Sequence, residues 1–283
     1  MKLKKGIVVF GPGVTLLCTS ACSQTKKEMS TNAHSNKVEM TYDKLRSREN
    51  TMAVAWYQES DEAKALYLQG YHLAKQKLEM ITQTPSSKPY SVILDIDETV
   101  LDNSPYQAKN VKNGKTFNPK SWDKWVKSKK AKAVPGVKEF LNYANEKGVK
   151  IYYVSDRADS QVDATKENLE SEGLPVQDKS QLLFLKNEMT SKESRRKMVG
   201  ESTDIALLCG DNLVDFAEFS KTSQTDRTKM MSELENEFGN KFIILPNPMY
   251  GSWETTIYNG KKLDSKRQVK AREKAIEKNS AKD

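Results

Sequence analysis

The chain has 283 residues, 37% hydrophobic and 30% charged, with a formal net charge of +8 and three cysteines. That length suits one sizeable α/β domain with an insertion or cap and is short for two independent domains. A mean hydropathy of −0.73 and the lack of a long apolar run beyond the N-terminus exclude a polytopic membrane protein, and so few cysteines exclude a disulfide scaffold.

Lys2, Lys4 and Lys5 precede an apolar run from Gly6 to Leu17, and Thr19-Ser20-Ala21-Cys22 supplies small residues before a cysteine. The pattern is that of a signal peptide over 1–22 and implies export. Cys22 resembles the lipidated cysteine of a bacterial lipoprotein, which would anchor the chain on the outer face of the cell membrane. Loss of the leader removes three lysines and leaves a net charge of about +5. Residues 23–36 are polar with little to bury and read as a flexible tether.

From 37 to 83, Val54, Trp56, Tyr57, Ala63, Leu66, Tyr67, Gly70, Tyr71, Ala74 and Leu78 recur at spacings of three and four, which predicts a pair of helices packed on the body. Pro85 and Pro89 break that pattern ahead of Val92-Ile93-Leu94, a buried strand that runs into Asp95-Ile96-Asp97. If the strand continues through Ile96, both carboxylates point to one side at its C-terminal end, where open α/β sheets bind ligands. Two acids so placed repel each other, and a hard divalent ion such as Mg²⁺ relieves the repulsion.

Residues 103–133, with Pro105, Gly114, Pro119, Trp122 and Trp125, form an insertion without an immediate long helix that can overhang the carboxylates. Its lysines Lys127, Lys129, Lys130 and Lys132 read either as a solvated helix face or as an attraction for an anionic substrate. Pro135-Gly136 then opens a helix through Ala144, followed by strand 150–154, helix 163–172, strand 182–185, helix 192–200, and strands 205–209 and 242–245. This alternation predicts an α/β fold, a parallel sheet with helices on both faces and a smaller helical cap. The body spans 37–260, with 37–83 and 103–133 as cap elements; 261–283 is a basic tail expected as a solvated or frayed helix, and no nucleic-acid motif accompanies it.

Gly210-Asp211-Asn212-Leu213-Val214-Asp215 follows an apolar strand and brings two further carboxylates to a strand end. With these residues in view, Asp95-Ile96-Asp97-Glu98-Thr99 resembles the D-x-D-x-T motif of the haloacid dehalogenase (HAD) superfamily phosphatases, and 93–103 with 210–216 resembles the class C non-specific acid phosphatases with their four aspartates. The resemblance implies a metal-dependent acid phosphatase acting on phosphate monoesters through an aspartyl-phosphate on Asp95. Asp97 would serve as acid and base, Ser155 of Tyr152-Tyr153-Val154-Ser155-Asp156-Arg157 would bind the phosphoryl group, and Lys192, with Lys186 as the alternative, would offset its charge. Asp95, the carbonyl of Asp97, Asp211 and Asp215 would hold Mg²⁺. Trp122, Asp123 and Tyr250 are the expected substrate contacts, with the two rings enclosing the base of a nucleoside monophosphate, and the family suggests a homodimer. A phosphotransferase on the same fold and a surface lipoprotein that binds a ligand without turnover are the alternatives.

Other phosphatase chemistries fit poorly. His34 and His72 both precede the strand core, and Cys209 has no basic phosphate loop after it, which makes it a buried thiol.

Overall fold

The computed structural model describes residues 39–186, 191–219 and 223–281. The leader, Cys22 and the tether lie outside them. In chain order the elements are α1 (Tyr42–Arg48), α2 (Thr51–Glu59), α3 (Asp61–Ile81), β1 (Tyr90–Leu94), β2 (Leu101–Asp102), α4 (Ser104–Lys112), α5 (Pro119–Lys127) and β3 (Lys132–Ala133). They continue as α6 (Val137–Glu146), β4 (Lys150–Ala158), α7 (Val162–Ser171), β5 (Leu182–Leu185), α8 (Lys192–Ser202), β6 (Asp204–Gly210), α9 (Gln224–Leu234), β7 (Phe242–Ile244), α10 (Ser252–Ile257) and α11 (Ser265–Asn279).

Five strands form a parallel sheet in the order β5-β4-β1-β6-β7. Ser91 to Leu94 are all buried, as expected of a strand covered on both faces. The chain builds outward from β1 through β4 to β5, then returns to β1's other side with β6 and β7. The gap between β1 and β6 is therefore the point where strand order reverses, and the crevice at their C-terminal ends is where such sheets bind ligands.

The segment expected to hold two helices holds three, broken at Glu49-Asn50 and again at Ser60, which adopts an extended conformation and whose Oγ accepts the Ala63 amide to cap α3. Along α3, Ala63, Tyr67, Tyr71, Ala74 and Leu78 form one buried stripe. Two of these tyrosines do more than pack. Tyr67 Oη donates to the Glu98 carbonyl and Tyr71 Oη to the Thr99 carbonyl, each at 2.5 Å, so α3 braces the loop that follows β1.

That loop departs from the expected strand. β1 ends at Leu94; the amides of Thr99, Val100 and Leu101 all donate to the Ile96 carbonyl, and Glu98 takes a left-handed φ of 57°. The turn removes Asp95 and Asp97 from strand alternation, and their side chains face different partners. The insertion contains two short helices, α4 and α5, each with proline in its first turn, and the antiparallel β2–β3 pair closes its base. The tail is also more ordered than expected. Val269 on α11 is buried, and Arg272 pairs with Glu49 and Glu254.

Tyr71→Phe should lower the free energy of unfolding by about 1–3 kcal/mol, because it leaves a buried carbonyl unpaired without changing core volume. Urea denaturation measures it, and an unchanged midpoint would remove the bracing role.

Candidate active site

Three carboxylates converge where β1 meets β6. Asp95 follows β1, and its amide continues the sheet by donating to the Cys209 carbonyl at 3.0 Å. Asp211 follows β6, and Asp215 returns toward it through a short 3-10 turn, accepting the Asn212 amide at 2.9 Å. Gly210 is required by close approach: a Cβ there would collide with the Asp215 carboxylate. One oxygen from each of Asp95, Asp211 and Asp215 lies within 4.8 Å of the others.

Lys192 closes this cluster. Its Nζ lies 2.5 Å from Asp95 Oδ1 and 2.6 Å from Asp215 Oδ1. It is the first residue of α8, whose start is set by Ser191 Oγ accepting the Ser194 amide. Burial pushes the Asp95 carboxyl well above the usual carboxylate range, Lys192 opposes that shift, and Asp215 and Asp211 add to it. Burial and Asp215 push the Asp211 carboxyl up to about 7. Burial works to lower the Lys192 ammonium, yet Asp215 and Asp95 outweigh it and hold the pKa above its ordinary value. Lys186 is elsewhere, exposed and 3.8 Å from Asp159.

The carboxylate of Asp97 points away from the cluster. Its Oδ1 accepts Asn103 Nδ2 at 2.8 Å, Arg157 Nη2 at 2.7 Å and Arg157 Nε at 3.0 Å, whereas Oδ2 has only Ser155 Oγ and Arg157 Nε at 3.4 Å. Beside Asp97, Glu98 is fully buried: Oε1 accepts the Asn103 amide, Oε2 has no hydrogen-bond partner among the described residues, and burial pushes the carboxyl well above its usual range.

Ser155 is buried at the end of the straight part of β4 and its Oγ accepts the Arg157 amide. Three arginines around it had no assigned role in the sequence. Arg157 holds Asp97; Arg195 donates to the Ser155 and Leu183 carbonyls and to Asp156; Arg196 donates to the Val214 and Asp215 carbonyls. A usable signal was present, since Lys192, Arg195 and Arg196 fall at i, i+3 and i+4 on one helix face. Asn247, which donates to Asp211 Oδ2 at 2.7 Å, and Thr99, whose Oγ1 lies 3.3 Å from Asp211 Oδ1, carried no such periodic signal.

A cavity of about 1310 Å³ opens from Asp97 and Arg157 and runs between the insertion, the segment after β7 and α11. Trp122, Asp123 and Tyr250 all line it, together with Phe117 and Trp253. Trp122 packs edge-on against Tyr106 and sits under the Arg157 guanidinium at 5.7 Å. Asp123 is engaged by Lys127 at 2.8 Å and Gln161 at 3.2 Å, and the Lys127 hydrogen bond holds its carboxyl below the ordinary range. Three of the four lysines of the run are paired: Lys127 with Asp123, Lys129 with Glu167 and Lys132 with Glu172. Such exposed pairs fit the reading of these three lysines as part of a solvated face.

The donors suit a hard divalent cation. Asp95, Asp211 and Asp215 supply carboxylate oxygens in a crevice where burial disfavours their negative charge, which a dication would favour.

A profile of the HAD superfamily, subfamily IIIB (Acid phosphatase), matches residues 17–253. Among curated proteins the chain is 27% identical to the stem 31 kDa glycoprotein of Glycine max over 163 residues, covering 56% of this chain and 58% of that one. It is 27% identical to acid phosphatase 1 of Solanum lycopersicum over 165 residues, covering 56% and 57%. It therefore spans little more than half the length of these plant relatives. Among solved structures, the class C acid phosphatase of Bacillus anthracis superposes with a TM-score of 0.78 at 44% identity, covering 82% of this chain and 97% of that one. A tungstate-bound structure of the Bacillus anthracis class C acid phosphatase gives a TM-score of 0.77 at 43% identity, with the same coverage. This chain belongs to subfamily IIIB of the HAD superfamily, the acid phosphatases.

Proposed function

We propose that this protein is a Mg²⁺-dependent acid phosphatase that hydrolyses phosphate monoesters, nucleoside monophosphates foremost, through an aspartyl-phosphate intermediate. The observation that carries the reading is Lys192 bridging Asp95 and Asp215 at the β1–β6 junction, with Asp97 held apart on Arg157. An anionic ester needs positive charge where it is attacked and a separate proton donor where it breaks.

A bound Mg²⁺ supplies charge stabilisation for the transferring phosphoryl oxygens. Asp95, the Asp97 carbonyl and Asp211 would hold it, with Asp215 in support. Lys192 offsets the remaining phosphoryl charge, and Ser155 Oγ donates to a phosphoryl oxygen. An Asp95 oxygen attacks phosphorus while Asp97 gives its proton to the departing ester oxygen; Asp97 then takes a proton from the water that releases phosphate from Asp95. The first of these steps requires a protonated Asp97, consistent with an acid optimum. Binding of tungstate, a tetrahedral oxyanion, by the Bacillus anthracis relative supports an oxyanion site here.

Trp122 and Tyr250 line the cavity beyond Asp97, where the leaving group must lie, and we assign them to the base of a nucleotide. Asp123 acts on that wall by tying α5 to Gln161. Export, a lipid anchor on Cys22, an outward-facing location and a homodimer complete the proposal on the strength of the sequence.

Asp95→Asn should abolish phosphate release from p-nitrophenyl phosphate and nucleoside monophosphates while leaving the circular dichroism spectrum and melting temperature near wild type. Retained turnover would refute the nucleophile, and no release by wild type with Mg²⁺ would refute the enzyme. Trp122→Ala should raise KM about tenfold or more for nucleotides, in line with stacking of about 1–3 kcal/mol, and far less for a small alkyl phosphate. Equal effects on the two would refute stacking.

The Asp211 carboxyl, near 3.8 when free and about 7 when folded, binds its proton more tightly in the native state. The metal-free protein should lose stability relative to Asp211→Asn as pH rises from about 4 to about 7, since over that window the unfolded carboxyl ionises while the buried native one keeps its proton. Mg²⁺ should raise the melting temperature more above that window than within it. Differential scanning calorimetry with EDTA and with Mg²⁺ reads both, and a metal effect independent of pH would refute the assignment of Asp211 as a ligand.

A further inference from the structure

We infer that Arg157, anchored by Thr165 and assisted by Asn103, positions Asp97 so that Oδ2 alone handles the transferred proton. This inference rests on the acid–base role proposed above for Asp97 and adds which oxygen acts and which residue selects it.

Three N–H donors, Asn103 Nδ2, Arg157 Nη2 and Arg157 Nε, reach Oδ1 within 3.0 Å. An oxygen accepting three such bonds has no lone pair free to bear a proton, whereas Oδ2 meets Ser155 Oγ and Arg157 Nε only at 3.4 Å. The holder is itself fixed. Arg157 is 2% exposed, its Nη1 donates to Thr165 Oγ1 at 2.9 Å, and the hydroxyl of Thr165 donates to the Gln161 carbonyl at 2.8 Å. Asn103 is fixed as well, since its Oδ1 accepts Trp125 Nε1 at 2.7 Å. The arginine's other neighbour is Trp122, on the wall of the leaving-group cavity. The guanidinium therefore links that wall to the acid.

In the first half-reaction the Asp95–phosphorus bond forms as the phosphorus–ester oxygen bond breaks, and the proton on Oδ2 passes to the departing oxygen. In the second, water gives a proton to Oδ2 as its oxygen displaces Asp95 from phosphorus. Arg157 keeps its protons throughout, which makes it a positioning residue.

The test uses leaving groups. A p-nitrophenolate departs with little need of an acid, while an alkoxide needs one, and kcat/KM reports only the steps up to formation of the aspartyl-phosphate. Wild type, Asp97→Asn, Arg157→Lys and Thr165→Val are compared on p-nitrophenyl phosphate and a simple alkyl phosphate with saturating Mg²⁺, with melting temperatures alongside. For Arg157→Lys the loss in kcat/KM should be about tenfold or more greater on the alkyl ester than on the aryl ester, carried by kcat, within the range ascribed to general acids. Thr165→Val, which keeps the side-chain volume, should show the same selectivity to a smaller degree and covers the case in which Arg157→Lys does not fold. Equal losses on both esters, or a loss carried by KM, would make Arg157 a structural or phosphate-binding residue and overturn the inference if Asp97→Asn is itself selective. A non-selective Asp97→Asn would instead overturn the acid role and this inference with it.

Discussion

Mutual repulsion among Asp95, Asp211 and Asp215 is the constraint from which the rest of this site follows. Three carboxylate oxygens within 4.8 Å in a largely buried crevice are unfavourable unless positive charge is supplied. In the protein alone Lys192 supplies it, bridging two of the three, and the chain commits a helix start, a capping serine and two buried arginines behind it to keep the ammonium in place. One lysine leaves an excess of negative charge, and burial, with Asp215 adding to it, pushes the Asp211 carboxyl up to about 7. The site is therefore built incomplete in charge, as suits a crevice that admits both a dication and a phosphoryl group.

The sheet explains why this arrangement is possible. Asp95 and Asp211 stand far apart in sequence but lie at the ends of adjacent strands, and the strand order reverses between them, so no crossover covers the space above. The braces lie outside the sheet: Tyr67 and Tyr71 of α3 hold the two carbonyls after Asp97, and Asn247 after β7 holds Asp211. Chemistry sits on strand ends and their immediate turns, while the cavity wall comes from α5, the segment after β7 and α11.

What the sequence made legible follows the same division. Five apolar runs marked the five strands, because buried parallel strands leave continuous apolar stretches, and those of β1, β4 and β6 lead into Asp95, Ser155 and Asp211. The two aspartate pairs stood out because paired carboxylates at the end of an apolar run are costly without a purpose, whereas Lys192 was assigned through the family resemblance alone. The sequence was silent where the function of a residue depends on distant partners. Tyr67 and Tyr71 have the spacing of ordinary core aromatics, and only the fold shows their hydroxyls on the loop after β1. Arg157 follows a motif serine with no periodic context of its own, and Asn247 lies in a proline-flanked turn. The conditional extension of β1 through Ile96 failed for a local reason: three amides converge on the Ile96 carbonyl and Glu98 turns left-handed, a hydrogen-bonding pattern that strand propensity does not encode.

That failure is informative about mechanism. Had β1 continued, Asp95 and Asp97 would share one side and one environment, and two like carboxylates would compete for the same cation. The turn at Ile96 separates them, giving Asp95 to Lys192 and the acidic cluster, and Asp97 to Arg157 and Asn103. Two chemically identical side chains two residues apart thereby acquire different partners, the condition under which one can serve as nucleophile and the other as acid and base. The local price of the separation is visible in Glu98, whose strained backbone and half-paired buried carboxyl lie at the centre of the turn. That strain comes directly after the two carboxylates, in the turn that sends them to different partners.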